Sequence, residues 1–144
     1  MIQLFTELQE KKNVRSNLSA LRASLKEATE EQKAQAIEFV RGHEDLVFGF
    51  LQEEDAKTRK NAALLLGDLA VQNALQPLWK AYTREQTLFV KSAYLEAMKA
   101  LHAEEILSQL KDRLAELEGE PVTEENRKHR EAELRALRAI LIQY

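Results

Sequence analysis

Thr58-Arg59-Lys60-Asn61-Ala62-Ala63-Leu64-Leu65-Leu66-Gly67-Asp68-Leu69 is matched in residue type, 32 residues later, by Val90-Lys91-Ser92-Ala93-Tyr94-Leu95-Glu96-Ala97-Met98-Lys99-Ala100-Leu101. Candidate helix caps, Asp55 and Thr87, precede the two stretches at the same offset. A period of this size marks stacked helix pairs. One such pair is too small to bury its own apolar face, so neighbours must stack, and the result is a slab suited to holding other molecules. The pattern predicts a scaffold without naming what it holds.

Working outward, Ala62, Leu65, Leu66 and Leu69 make one apolar stripe on a helix from Ala56 to about Ala70, and the small residues Ala62, Ala63 and Gly67 permit close approach of another helix. The partner helix carries Ala74, Leu75, Leu78, Trp79 and Tyr82. Pro77 is tolerated only in a first turn, so this helix either begins nearer Gln76 than Val71 or is kinked. The second copy runs from Leu88 to Leu101 and then from Glu104 to about Glu118, where Ile106, Leu107, Leu110 and Leu114 stand 32 residues after Ala74, Leu75, Leu78 and Tyr82. Both members of the pair repeat.

Before the repeats, Leu4, Phe5 and Leu8 suggest a short helix, and Asn13 is a candidate cap for a second containing Val14, Leu18, Leu21 and Leu25. Thr29 and Gln32 form a capping-box pattern opening a helix through Ala36, Ile37, Phe39 and Val40 that Gly42 ends. Glu44 to Leu51 reads as a largely buried helix despite Gly49. After the repeats, Gly119-Glu120-Pro121 breaks the pattern, and Thr123-Glu124-Glu125 predicts the capped, acidic first turn of a final helix. That helix is almost wholly charged from Asn126 to Glu133, which predicts a solvated first half. Leu134, Leu137, Leu141 and Tyr144 predict a docked second half. Because Ala139-Ile140-Leu141-Ile142-Gln143-Tyr144 lacks the polar cap a solenoid end needs, the reading anticipates that the natural protein continues beyond Tyr144.

Composition agrees with an all-α class. The 144 residues suffice for one domain with a continuous core, and 31% charged residues with four glycines and two prolines disfavour a strand-rich fold. The absence of cysteine excludes disulfides and thiolate metal sites, and is compatible with a reducing, cytoplasmic location. No run approaches the roughly 20 apolar residues of a membrane span, and the first residues lack the pattern of an export signal.

Thr58-Arg59 with Ala62-Ala63, Leu65-Leu66-Gly67 and Leu69 resembles the first helix of a HEAT repeat, and Val90-Lys91, Ala97-Met98 and Leu101 keep the pattern in the second copy. The sequence departs from it at Thr58, where the repeat usually has valine, and at Lys99, which replaces the glycine. The resemblance implies an all-α, right-handed α-α superhelix of about eight helices. Within it lie degenerate N-terminal helices over 1–54, HEAT-like repeats over 55–86 and 87–118, and a terminal helix over 123–144. A wider resemblance rests on Asn17-Leu18-Ser19-Ala20-Leu21-Arg22, Arg59-Lys60-Asn61-Ala62-Ala63-Leu64-Leu65-Leu66-Gly67 and Thr87-Leu88-Phe89-Val90-Lys91-Ser92-Ala93-Tyr94-Leu95. These are similar to the helical region preceding the catalytic part of RNA methyltransferases in Firmicutes. That family implies an accessory module that positions RNA or an adjacent catalytic domain. No glycine-rich cofactor loop follows a strand in this chain, so methyl transfer is not assigned to its residues.

Charge supplies a separate hint about partners. Residues 1–54 carry 7 basic and 10 acidic side chains, 55–102 carry 7 and 4, and 103–144 carry 7 and 10, so the repeats are the basic part. Lys57, Arg59 and Lys60 crowd the first turns of one helix, whose positive dipole end disfavours cations unless something compensates them. One explanation is a ladder in which Arg59 and Lys91, at equivalent positions, meet acids such as Asp68 or Glu96. The other is phosphate contact, with Lys57, Arg59, Lys60, Lys91 and Lys99 as candidate nucleic-acid-binding residues.

Catalytic constellations are not evident. His43, His102 and His129 form no His-Glu-x-x-His pattern and read as exposed or helix-end residues. Glu30-Glu31, Glu53-Glu54, Glu104-Glu105 and Glu124-Glu125 suit helix starts, where carboxylates favour the dipole. Trp79, Tyr82 and Tyr94 read as core rather than as base-stacking platforms. The expectation is a noncatalytic interaction module with no cofactor, metal or membrane association. Its partner is a protein or an adjacent catalytic domain. RNA binding through 55–102 is the alternative, and an unrecognised enzyme ranks third.

Overall fold

The computed structural model describes residues 1–144 and is helical throughout, with no strand. Its α-helices are α1 (Ile2–Gln9), α2 (Val14–Leu25), α3 (Glu30–Gly42), α4 (Glu44–Gly49), α5 (Ala56–Asp68), α6 (Leu75–Arg84), α7 (Leu88–Lys99), α8 (Leu107–Gly119) and α9 (Arg127–Leu141). There are nine rather than about eight. The chain leaves α1 through Lys11 at φ 57° and enters α2 through Asn13 at φ 46°. No helix is long and apolar enough to cross a membrane.

Helix ends follow local chemistry, with corrections. Thr29 and Gln32 make the reciprocal capping box that opens α3, and Asp55 caps α5 by accepting from the Thr58 N–H and hydroxyl. Thr87 does not cap α7 with its side chain. Its backbone N–H instead donates to Glu85. Asn13 likewise makes no side-chain cap, because its left-handed backbone turns the side chain away from the free N–H groups of α2. Thr123 and Asn126 exchange hydrogen bonds in the turn that leads into α9, so the helix proper starts at Arg127 rather than at the acidic pair. α5 stops at Asp68, and its last carbonyls are closed by Ala70 N–H on Gly67 and Val71 N–H on Leu66. That closure needs a left-handed residue, and Ala70 adopts φ 51° without being glycine.

The 32-residue step is visible in the elements themselves. α5 begins at Ala56 and α7 at Leu88. A 3-10 turn at Gln72–Ala74 precedes α6 at Leu75, and another at Glu104–Ile106 precedes α8 at Leu107. Pro77 is the third residue of α6, inside the first turn, where its missing N–H costs no helical bond.

The helices α2, α5, α7 and α9 lie side by side in that order, while α6 packs on α7 and α8 on α9. α1 packs on α2, and the 3-10 turn Phe50–Gln52, which completes the short α4, packs on α5 and α6. The buried apolar residues form one cluster that runs from Leu8 and Leu18 through Leu65, Leu66, Tyr94 and Met98 to Leu137 and Ile140. The segments over 55–86 and 87–118 therefore share an interior, but α6 packs on α7 and α8 on α9, rather than α5 on α6 and α7 on α8 as the repeat reading predicts. At Gly67, α5 and α7 approach so closely that a Cβ there would lie 2.9 Å from Ala97 Cα. At the far end Leu137 and Ile140 are buried, Leu141 is half-buried, and Ile142 is exposed.

Candidate functional site

Two carboxylates are buried, and neither was singled out in the sequence. Glu85 follows α6 and is 8% exposed, and Glu133 on α9 is 2% exposed. Burying an ionised carboxylate is tolerable only when it is paired and hydrogen-bonded, and both are.

Glu85 receives Arg59 side-on, Nε to Oε1 at 2.9 Å and Nη2 to Oε2 at 2.9 Å. The Tyr94 hydroxyl donates to Oε1 at 3.1 Å and the Thr87 N–H to Oε2 at 3.2 Å. The remaining guanidinium nitrogen, Nη1, donates to the carbonyls of Glu53 and Glu54. Arg59 thus fastens α5 to the segment before it and to the α6–α7 connection. Burial alone would raise the Glu85 carboxyl, but the Arg59 and Thr87 hydrogen bonds outweigh it and hold the group below its ordinary value. Tyr94 is pushed up, first by burial and then by the Glu85 charge.

Glu133 joins four helices. It accepts from Tyr82 Oη of α6, from Lys91 Nζ of α7 at 3.3 Å and from Arg113 Nε of α8 at 3.1 Å. His129, one turn earlier on α9, places Nε2 3.7 Å from Oε1 and finds no hydrogen-bond partner for that atom. Burial opposes the charge of Glu133, yet the Arg113 and Tyr82 hydrogen bonds keep it ionised, below its ordinary value. Tyr82 is raised by burial and by Glu133. His129 is lowered by burial and by the Lys91 charge.

These findings correct two expectations. The first half of α9 is not uniformly solvated, because Glu133 is buried and His129 is only partly exposed. Arg59 and Lys91 do form ion pairs, but with Glu85 and Glu133 rather than with Asp68 or Glu96. Asp68 instead takes Arg22 Nε of α2 at 2.8 Å. Extending the Leu137–Leu141 stripe back by one turn reaches Glu133, so a positional signal existed. Glu85 carries none, since it lies outside a helix.

Of the five predicted basic residues, Arg59 and Lys91 are thus committed to buried acids. Lys57 and Lys60 border an open groove of about 620 Å³ between α2 and α5, together with Asn13, Val14, Arg15, Ser16, Ser19 and Asn61. Lys99 is exposed in the last turn of α7 and does not join them. The five do not form one face.

Two further grooves flank α6. On one side a groove of about 730 Å³ has Phe48, Leu51, Pro77 and Ala81 as its apolar lining, with Lys80 and Arg84 facing a space also bordered by Glu53 and Glu54. On the other side a groove of about 390 Å³ runs between Trp79 and Thr83 of α6 and Gln109, Asp112 and Glu116 of α8. Both reach Glu85 and Gln86. Tyr82 and Tyr94 are core residues, and Trp79 is half-buried against Tyr82 with ring centroids 5.3 Å apart.

Chemically, both carboxylates are held ionised and saturated with donors, and the tyrosines are held protonated. Each cluster ties together side chains from several helices, Glu85 with Arg59 and Tyr94, and Glu133 with Tyr82, Lys91 and Arg113. No group of three or more His, Cys, Asp or Glu side chains converges as a metal ion requires. Compared with known proteins, the chain matches no family model, no curated protein and no solved structure.

Proposed function

We propose that this chain is a noncatalytic HEAT-like scaffold, a right-handed α-α superhelix that holds a segment of a partner protein or of an adjacent catalytic domain in the grooves flanking α6. The observation that carries this reading is the pair of grooves on either side of one repeat helix, meeting at Glu85 and Gln86. A mixed lining of that kind, apolar at Phe48, Leu51 and Pro77 and charged at Lys80, Arg84, Glu53 and Glu54, suits a protein segment with an apolar anchor and charged flanks. The equal step of the helices and the burial of Glu85 and Glu133 at helix junctions support a rigid platform. The resemblance to the region preceding the catalytic part of RNA methyltransferases supports a place as the N-terminal module of a larger protein of that kind. The lack of cysteine supports a reducing, cytoplasmic setting.

The test is site-specific photo-crosslinking in the native host from positions Gln76, Lys80 and Thr83, with Lys128 on α9 as the control. Partner segments should attach at the groove positions and not at Lys128. The purified partner should then lose at least about tenfold in affinity for Lys80→Glu/Arg84→Glu. Crosslinks spread equally over all four positions, or a partner indifferent to the double variant, would remove the groove reading.

A further inference from the structure

The α2/α5 groove has a composition that protein docking does not explain. Of its eight lining residues only Val14 is hydrophobic. Arg15, Lys57 and Lys60 supply three cations, and no carboxylate lines it. Asp55 stands at its edge, 3.3 Å from Arg15, but spends its other oxygen on the Thr58 N–H and hydroxyl. Neither α2 nor α5 has an acidic residue in its first turn. Lys57 and Lys60 sit near the positive end of α5, where Asp55 caps the helix but forms no ion pair with either, whereas Arg59 between them is matched by Glu85.

A second observation is independent of the charges. Asn61, only 9% exposed, lines the same groove, and its side chain makes no hydrogen bond within the protein. Its amide is not among the sealed, unpartnered polar atoms, so it faces the groove where water or a ligand can reach it. Arg and Lys can only donate, and Ser19 and Asn61 can donate as well, while the Ser16 hydroxyl is already given to the Asn13 carbonyl, so the groove favours oxyanions.

We propose that this groove binds the phosphodiester backbone of a single-stranded nucleic acid, with Lys57, Lys60 and Arg15 on phosphates and Asn61 donating to a backbone oxygen. An open groove far larger than one phosphate suits a polymer better than a small anion. The near absence of apolar lining disfavours a phosphopeptide, which needs side-chain anchors, and contacts confined to phosphates carry no base-sequence information. The site draws on α2 and α5 rather than on α6, so it stands apart from the protein-binding reading.

The experiment is fluorescence anisotropy of a labelled oligouridylate with the full chain across a salt titration. Three backbone cations predict a log–log salt slope near about −2. Lys57→Gln/Lys60→Gln should lower affinity at least about tenfold and reduce the slope by about 1.4. The charge-matched control Lys111→Gln/Lys128→Gln should change affinity less than about twofold. Asn61→Ala should weaken binding with the slope unchanged. The Lys57/Lys60 variant should melt at or slightly above the parent temperature, which separates lost binding from lost folding. Absence of binding at low salt overturns the proposal, as does equal loss in both charge-matched pairs. It is also overturned if a phosphoserine peptide or inorganic phosphate shifts the Lys60 and Asn61 amide resonances while the oligonucleotide does not.

Discussion

Arg59 and Glu85 meet through two parallel hydrogen bonds of 2.9 Å each, and they join residues 26 positions apart in the chain. The pair holds the start of α5 against the α6–α7 connection, and Tyr94 closes it from α7.

Breaking this pair from one side should be expensive. Arg59→Ala leaves a nearly buried carboxylate without its cation, and a loss of about 3 kcal/mol is expected. Arg59→Lys keeps the charge but loses the fork and the contacts to Glu53 and Glu54, for about 1–2 kcal/mol. Urea denaturation of both variants checks the order; equal losses would mean that charge alone matters.

The close approach at Gly67 makes an opposite prediction to helix propensity. Alanine is favoured over glycine in a helix by about 1 kcal/mol, yet a Cβ at Gly67 meets the Ala97 backbone at 2.9 Å and its side chain at 3.2 Å. Backbone cannot step aside cheaply, so Gly67→Ala should be destabilising, by about 1–2 kcal/mol net. Adding Ala97→Gly should relieve only part of this, because the nearer contact is to Cα. Full restoration in the double variant would show that the helices are free to slide.

Ala70 occupies the left-handed position that closes α5. Glycine reaches that conformation without the Cβ penalty. Ala70→Gly should therefore raise stability by about 1 kcal/mol, read as a higher thermal midpoint.

Stability should decline in two steps on acidification. His129 has a lowered pKa in the folded state, so between its folded value and its ordinary 6.5 the unfolded chain binds more protons. Its contribution is full above about 6.5 and is lost as pH falls through the folded value, where a protonated His129 would join Lys91 and Arg113 around the single charge of Glu133. Glu85 and Glu133 are also lowered, so their contribution is present above the ordinary value of 4.5 and is lost below it. Thermal melts from pH 8 downward should show both steps, and His129→Gln should abolish the first alone. A first step that persists in His129→Gln would place its origin elsewhere.

The stretch around Thr58–Leu69 made the all-α class and the Gly67 contact legible, because apolar spacing and small residues act locally, whereas which helix packs on which was not, since α6 packs on α7 and α8 on α9. The Thr29 and Asp55 caps were legible for the same reason. Thr87 was not, since its side chain makes no cap bond and its backbone N–H donates to Glu85, the acid two residues away that also receives Arg59. Glu85 and Glu133 were hidden because a buried acid looks like any surface acid until the fold supplies its cations. Arg59 and Lys91 shared one basic label with Lys57 and Lys60, and only the packing separates those that fasten helices from those that face a groove.

The packed interior is built around the contact of α5 with α7. The most direct measurement is a nuclear Overhauser cross-peak in isotope-labelled protein between the Gly67 Hα protons and the Ala97 methyl group, whose carbon lies 3.2 Å from where a Gly67 Cβ would stand. A strong cross-peak is predicted; its absence, with the Ala97 methyl contacting other residues instead, would contradict the account.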